Sequence, residues 1–166
     1  MYRLIDKHAA HERVRFDALK NHTQPVMSQQ LLSPLAVELS AEDAASLLEQ
    51  LPLLEEFGFV CEDFGDGTVL VRQVPSDLEV GDVPAALEEL AEDLRLNRAD
   101  PTAARDSLLQ TMACKSAIKA GMWSDPSELQ ALADKVQSGE IRYCPHGRPV
   151  AVKLSKYEME KMFKRA

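Results

Sequence analysis

Short extended runs and longer helical stripes alternate along the chain. "YRLI" (residues 2–5) is an apolar run of strand length, and "DKHAAHERVRFD" behind it reads as the start of a helix whose inner side carries Val14, Ala18 and Phe16. "NHTQPVMSQQ" predicts a polar loop. "LLSPLAVELS" predicts a partly extended segment, because Pro34 forbids a helix through its centre. "SAEDAASLLEQLPLLEEFG" predicts a helix from an N-cap at Ser40, with Asp43 three residues on, to a stop at Gly58; Leu47, Leu48, Leu51 and Leu54 form its stripe. "FVCEDF", the turn "GDG" and "TVLVRQVP" alternate as a β-hairpin does. "VPAALEELAEDLRL" is a second amphipathic helix with Pro84 in its first turn, and Leu87, Leu90 and Leu94 on its core side.

"PTAARDSLLQTMACKSAIKAG" then predicts a long helix ending at Gly121, after which Met122 and Trp123 are expected to pack. "DPSELQALADKVQSGE" predicts a helix capped by Asp125 with Pro126 in its first position. "CPHGRPVAVKL" is a turn feeding a strand, and "SKYEMEKMFKR" is a closing helix capped by Ser155. The fold class that follows is α/β (α+β), a discontinuous two-lobed domain. Residues 1–38 and 101–166 form a sheet-and-helix body whose two pieces must meet to share one sheet. Residues 39–100 form an inserted α-β-β-α lobe.

Charge sharpens this division. The chain of 166 residues has a net charge of -8, yet between Glu38 and Asp100 there are 17 acidic and three basic residues, so the remainder is mildly basic. An acidic middle lying beside a DNA path would repel it, so contact with phosphates is expected from the terminal pieces. No apolar run approaches the roughly 20 residues of a membrane helix, and no signal-peptide pattern opens the chain. Three scattered cysteines, Cys61, Cys114 and Cys144, are too few for a disulfide framework; they suit a reducing compartment, where paired Cys and His mean metal or catalysis.

Candidate chemistry sits in fragments. On a helix His8 and Glu12 face the same way, with His11 on the flank, and Asp6 ends the strand before them. An imidazole and a carboxylate on one face suit a divalent ion such as zinc, but a solvated first turn with Asp6 as helix cap fits the same residues. Cys144 and His146 on a rigid turn are half of a zinc site, or else a buried thiol beside a surface histidine. Cys114 lies mid-helix among apolar residues, where a core thiol is the commoner role.

Joined, the fragments become recognisable. "LIDKHAAHERVRFD" resembles the D-Q-H-A-x2-E-x4-E motif of the endonuclease-bearing MutL mismatch-repair proteins, "ACKSAIKAG" their A-C-R motif, "CPHGRP" their C-P-H-G-R-P motif, and the terminal Phe163 to Arg165 their F-x-R ending. All four stand in the family's order. The resemblance implies the C-terminal domain of such a protein: a metal-dependent DNA-nicking endonuclease and homodimerisation body, with the acidic insert in the place of the family's regulatory lobe. It implies Asp6, His8, Glu12, Cys114, Cys144 and His146 as ligands of zinc and/or manganese, with Asp6 and Glu12 catalytic. No organic cofactor is expected here; the ATP-binding region of the family is missing, so the chain is expected to be a fragment of a longer protein.

Three positions depart from the motifs. Lys7 replaces Gln, Asp17 replaces the second Glu, and Lys115 replaces the Arg of A-C-R. Together with Arg148 these are candidates for contacts just outside the ligands. "QQLLSP", with Gln29, Leu32 and Pro34, is similar to the family's sliding-clamp-binding pattern Q-x-x-L-x-P. DNA, the replication sliding clamp (β-clamp) and MutS are the implied partners, with no membrane, in the bacterial cytoplasm at the nucleoid. The rival expectation is a non-catalytic dimerisation module whose metal site is structural or lost through the changes at 7, 17 and 115.

Overall fold

The computed structural model describes residues 1–21, 26–117 and 121–165. It divides into two compact units, residues 1–17 with 117–166, and residues 18–116.

In the first unit, β1 (Tyr2–Ile5) pairs antiparallel with β5 (Ala151–Leu154), Tyr2 opposite Leu154 and Ile5 opposite Ala151. The two ends of the chain therefore share a sheet, as expected. The Asp6 N–H continues the ladder to the Val150 carbonyl at 2.9 Å, and Asp6 then caps α1 (Lys7–Asn21): its Oδ1 accepts the Ala9 N–H at 3.1 Å. Helix α6 (Pro126–Gln137) starts at Asp125, whose side chain accepts the Ser127 N–H, with Pro126 at the first helical position. Ala10 of α1, Leu132 and Val136 of α6, Ile141, Cys144 and Val150 form one buried cluster, with Ile5, Val14 and Ala151 packed on it. Burial of Ala10 and Phe16 sets the inner side of α1, with Val14 only partly covered. Helix α7 (Lys156–Met162) carries a complete capping box between Ser155 and Glu158.

The second unit is built on a three-stranded antiparallel sheet in the order β2 (Ser28–Glu38), β4 (Thr68–Pro75), β3 (Val60–Gly65). Central β4 buries Val69, Val71 and Val74 completely. Helices α2 (Ala41–Leu48) and α3 (Leu51–Glu56) pack against β3, α4 (Val83–Leu96) packs on α2, and α5 (Pro101–Ser116) packs on α4; their leucine stripes, Leu47, Leu54, Leu87, Leu90 and Leu94 among them, are core. Strand β2 and helix α5 thus fold with residues 39–100, because β2 is hydrogen-bonded to β4 at both of its ends. Burial pushes the Asp93 carboxyl of α4 above its ordinary range; the Thr111 hydroxyl, donating at 2.7 Å, opposes the shift, and Glu89 and Glu92 reinforce it.

Four local expectations change. The helix expected from Ser40 to Gly58 is two, α2 and α3, broken at Glu49 and Gln50: Pro52 lacks an N–H and its ring would strike the carbonyl one turn back. The long helix leaves helical geometry at Ala117, before Gly121, and residues 118–120 lie outside the described residues. Residues 28–30 of the expected loop are strand, and residues 22–25 lie outside the described residues. Trp123 is 82% exposed and Met122 about half exposed, since the irregular segment that carries them offers nothing to bury an indole.

The β3–β4 hairpin closes through Asp66 and Gly67, both at positive φ (53° and 77°), as the tight turn that matches strand twist requires. A Cβ on Gly67 would also meet the Leu39 carbonyl oxygen at 2.7 Å. Gly67→Ala is therefore expected to lower the unfolding free energy by about 2 kcal/mol in urea titrations; an unchanged midpoint would mean that the turn relaxes without strain.

Candidate metal centre

Glu12 is the one fully buried acidic side chain of the described residues, 4% exposed, on the side of α1 that turns inward. Its neighbours are imidazoles. His8, one helical turn earlier, places Nε2 3.4 Å from Oε2, and His146 places Nδ1 3.0 Å from Oε1. No hydrogen bond reaches Oε1. A buried carboxylate oxygen without a donor is costly unless positive charge stands beside it. Two imidazoles converging on such a carboxylate make a donor set that suits zinc or manganese.

His146 reaches Glu12 because of the turn that carries it. The Cys144 carbonyl accepts the Gly147 N–H at 2.9 Å, the Cys144 N–H donates to the Arg148 carbonyl at 2.8 Å, and Gly147 sits at φ +83°. Tyr143 bridges Pro149, and the Val150 N–H donates to the Arg142 carbonyl at 3.1 Å. The Cys144 Sγ accepts the Arg148 N–H at 3.4 Å and is 3% exposed within the apolar cluster. Arg148 therefore works on this turn through its backbone.

Arg13 ties the turn to α1, and nothing in the motif spacing had singled it out. Its Nε donates to the Tyr143 carbonyl at 2.8 Å and its Nη2 to the Cys144 carbonyl at 3.3 Å, while Nη1 meets Asp17 Oδ1 at 3.3 Å. The usable signal was local: Arg13 directly follows the motif's buried Glu12 and precedes Asp17 by one turn. Asp17 is thus engaged with Arg13. Lys7 donates from Nζ to the Met122 carbonyl at 2.6 Å and reaches Ser124 Oγ at 3.5 Å. Asp6 is exposed and committed through Oδ1 to the start of α1.

The remaining candidates are carried by other elements. In the second unit, Cys114 is half-buried on α5, and the Lys115 ammonium pairs with Glu89 of α4 at 2.8 Å. Gln29 pairs with Val74 in the sheet, whereas Leu32 and Pro34 fall in the stretch where β2 loses register with β4. Phe163 ends α7 and is exposed, as is Arg165.

Residues 2–123 match the family model described as the MutL C terminal dimerisation domain. The chain belongs to this family. It is 38% identical, over 98% of its length, to the DNA mismatch repair protein MutL of Bartonella bacilliformis, and 35% identical, over 99% of its length, to that of Caldanaerobacter subterraneus subsp. tengcongensis. It is also similar to the MutL of Halalkalibacterium halodurans, at 35% identity over 98% of the chain. The chain spans 26–28% of the length of these relatives. No described helix is long and apolar enough to cross a membrane.

Removing Arg13 is expected to loosen the turn without touching the donor groups. Hydrogen bonds from a charged donor contribute about 1.5–3 kcal/mol. Arg13→Ala should therefore raise the rate of Cys144 alkylation in native buffer by roughly tenfold or more, followed by peptide mass spectrometry against Cys61 and Cys114. Equal rates in the two proteins would show that the turn holds without it.

Proposed function

We propose that this chain is the metal-dependent DNA-nicking and homodimerisation domain of a mismatch-repair MutL protein. The observation that carries the reading is Glu12, a buried carboxylate with the His8 and His146 imidazoles on its two oxygens. His8, Glu12 and His146 would hold a zinc or manganese ion. Cys144, Cys114 and Asp6 complete the set on the strength of the motifs. Such an ion, when bound, polarises a phosphodiester and makes water a competent nucleophile.

The chain's own residues have separate tasks. Glu12 and the imidazoles fix the charge of the site, the carboxylate buried and the His146 ring half exposed. Arg13 holds His146 in reach by fastening its turn. Asp6, with its carboxylate exposed, takes the proton from the attacking water as the water oxygen bonds to phosphorus and one P–O bond of the strand breaks, the departing oxygen taking up a proton from solvent.

Dimerisation is read from the first unit's sheet. In the β1–β5 pairing Tyr2 faces Leu154 and Leu4 faces Val152, so these four side chains share one face, and Tyr2, Leu4 and Val152 are each more than half exposed. An apolar sheet face of this kind suits a second copy. Clamp binding has its own support: Leu32 is fully exposed at 106%, on a stretch of edge strand already out of register. DNA and MutS are the other partners of this reading, with ATP-driven control supplied by a region outside the chain.

The first test is metal content of the purified domain beside Glu12→Ala and Cys144→Ser. Stoichiometric zinc or manganese in the parent and its loss from both variants is expected, followed by manganese-dependent plasmid nicking that Asp6→Asn abolishes. A parent that takes up no metal would leave the dimerisation module as the better reading. For the dimer, Leu4→Glu with Val152→Glu should convert a dimer to a folded monomer in sedimentation velocity, and an unmoved sedimentation coefficient would place the interface elsewhere.

A further inference from the structure

Away from Glu12, the first unit carries a groove of about 430 Å³ between the C-terminal end of α6 and the β1–β5 sheet. Its floor is apolar, with Val136, Ile141 and Val150; its cationic groups are Arg3, Arg142 and Lys153. Arg3 and Lys153 are direct cross-strand partners. Two like charges facing each other on one sheet face weaken the sheet, and Arg142 adds a third.

The surroundings do little to neutralise them. Among the described residues no carboxylate pairs with Arg3, Arg142 or Lys153; Arg142 donates from Nε to the Gly139 carbonyl at 3.3 Å. The Glu140 carboxylate, beside this edge, faces Lys135 at 3.8 Å. A chain with net charge -8 has thus gathered three cations around one open groove at an electrostatic penalty.

We propose that this groove binds a phosphate of the DNA backbone, with the guanidinium forks of Arg3 and Arg142 and the Lys153 ammonium neutralising it. The inference rests on the reading of the chain as a DNA-processing domain and adds where the duplex is held. The residues lie outside the motifs of the metal centre, and the 141–150 segment links the two places: Arg142 stands two residues before Cys144.

The test is fluorescence anisotropy of a labelled duplex with the purified chain in chelator, so that binding is read without metal or cleavage. Lys153→Gln should weaken binding several-fold and lower the slope of log K against log salt by about 1, and Arg3→Gln with Lys153→Gln should lower it by about 2. Relief of the cross-strand repulsion should leave the melting temperature of both variants equal or higher, which separates the effect from misfolding. Arg72→Gln, in the second unit, should change neither affinity nor slope. Unchanged binding in the groove variants would overturn the proposal. So would inorganic phosphate raising the melting temperature of the parent but not of the variants while duplex affinity stays equal, since the groove would then hold free phosphate. Intact duplex binding by a protein that never nicks would sink the nuclease reading alone.

Discussion

The first unit is organised around a charge that has no business being buried on its own. Glu12 lies on the inward side of α1, where a carboxylate without compensation would be strongly unfavourable. Its compensation comes from two histidines, one contributed by the same helix and one by a turn more than a hundred residues later. That arrangement requires α1 and the 144–147 turn to be held in a single register. The β1–β5 ladder, the Asp6 cap and the Arg13 contacts all serve this requirement. A polar centre of this kind is weak as a source of stability and strong as a constraint on which elements must meet.

Much of the local structure was legible because punctuation residues act locally. Ser40, Asp125 and Ser155 cap helices where they were expected to, Pro84 and Pro126 stand in first turns, and Asp66-Gly67 makes the hairpin. The misreadings were conflicts between such signals. The leucine stripe through residues 47–54 has helical spacing on both sides of Pro52, so periodicity suggested continuity where the proline imposes a break. Trp123 was expected to be covered because it is large and apolar, but exposure depends on whether a neighbouring element exists to cover it.

The centre itself was half legible. Spacing alone puts His8 and Glu12 on one face of a helix, and the turn residues of C-P-H-G announce a rigid loop. That His146 reaches Glu12 is a long-range fact, which no local pattern contains; it was expected through the family motifs. Arg13 was invisible for another reason. Its work is done on backbone carbonyls, and a carbonyl has no identity in the sequence. Asp17 illustrates the same limit: its motif position suggested a contact just outside the ligands but not which one, and it is the counter-ion of Arg13.

The two-stranded sheet shows how little of this unit is intrinsic to its parts. An isolated pair of four-residue strands is not stable in water, so β1–β5 depends on what covers its faces. Ile5 and Ala151 on one face pack on the apolar cluster that also buries Cys144. The other face, with Tyr2, Leu4 and Val152, remains uncovered within the chain. Covering it would stabilise the ladder that fixes Asp6 and, through the Val150 carbonyl, the base of the histidine-bearing turn. Assembly and the polar centre are thereby coupled by the same backbone hydrogen bonds: whatever steadies the sheet also steadies the approach of His146 to Glu12. A loss of pairing at β1–β5 would loosen both together, the exposed sheet face and the approach of His146 to Glu12.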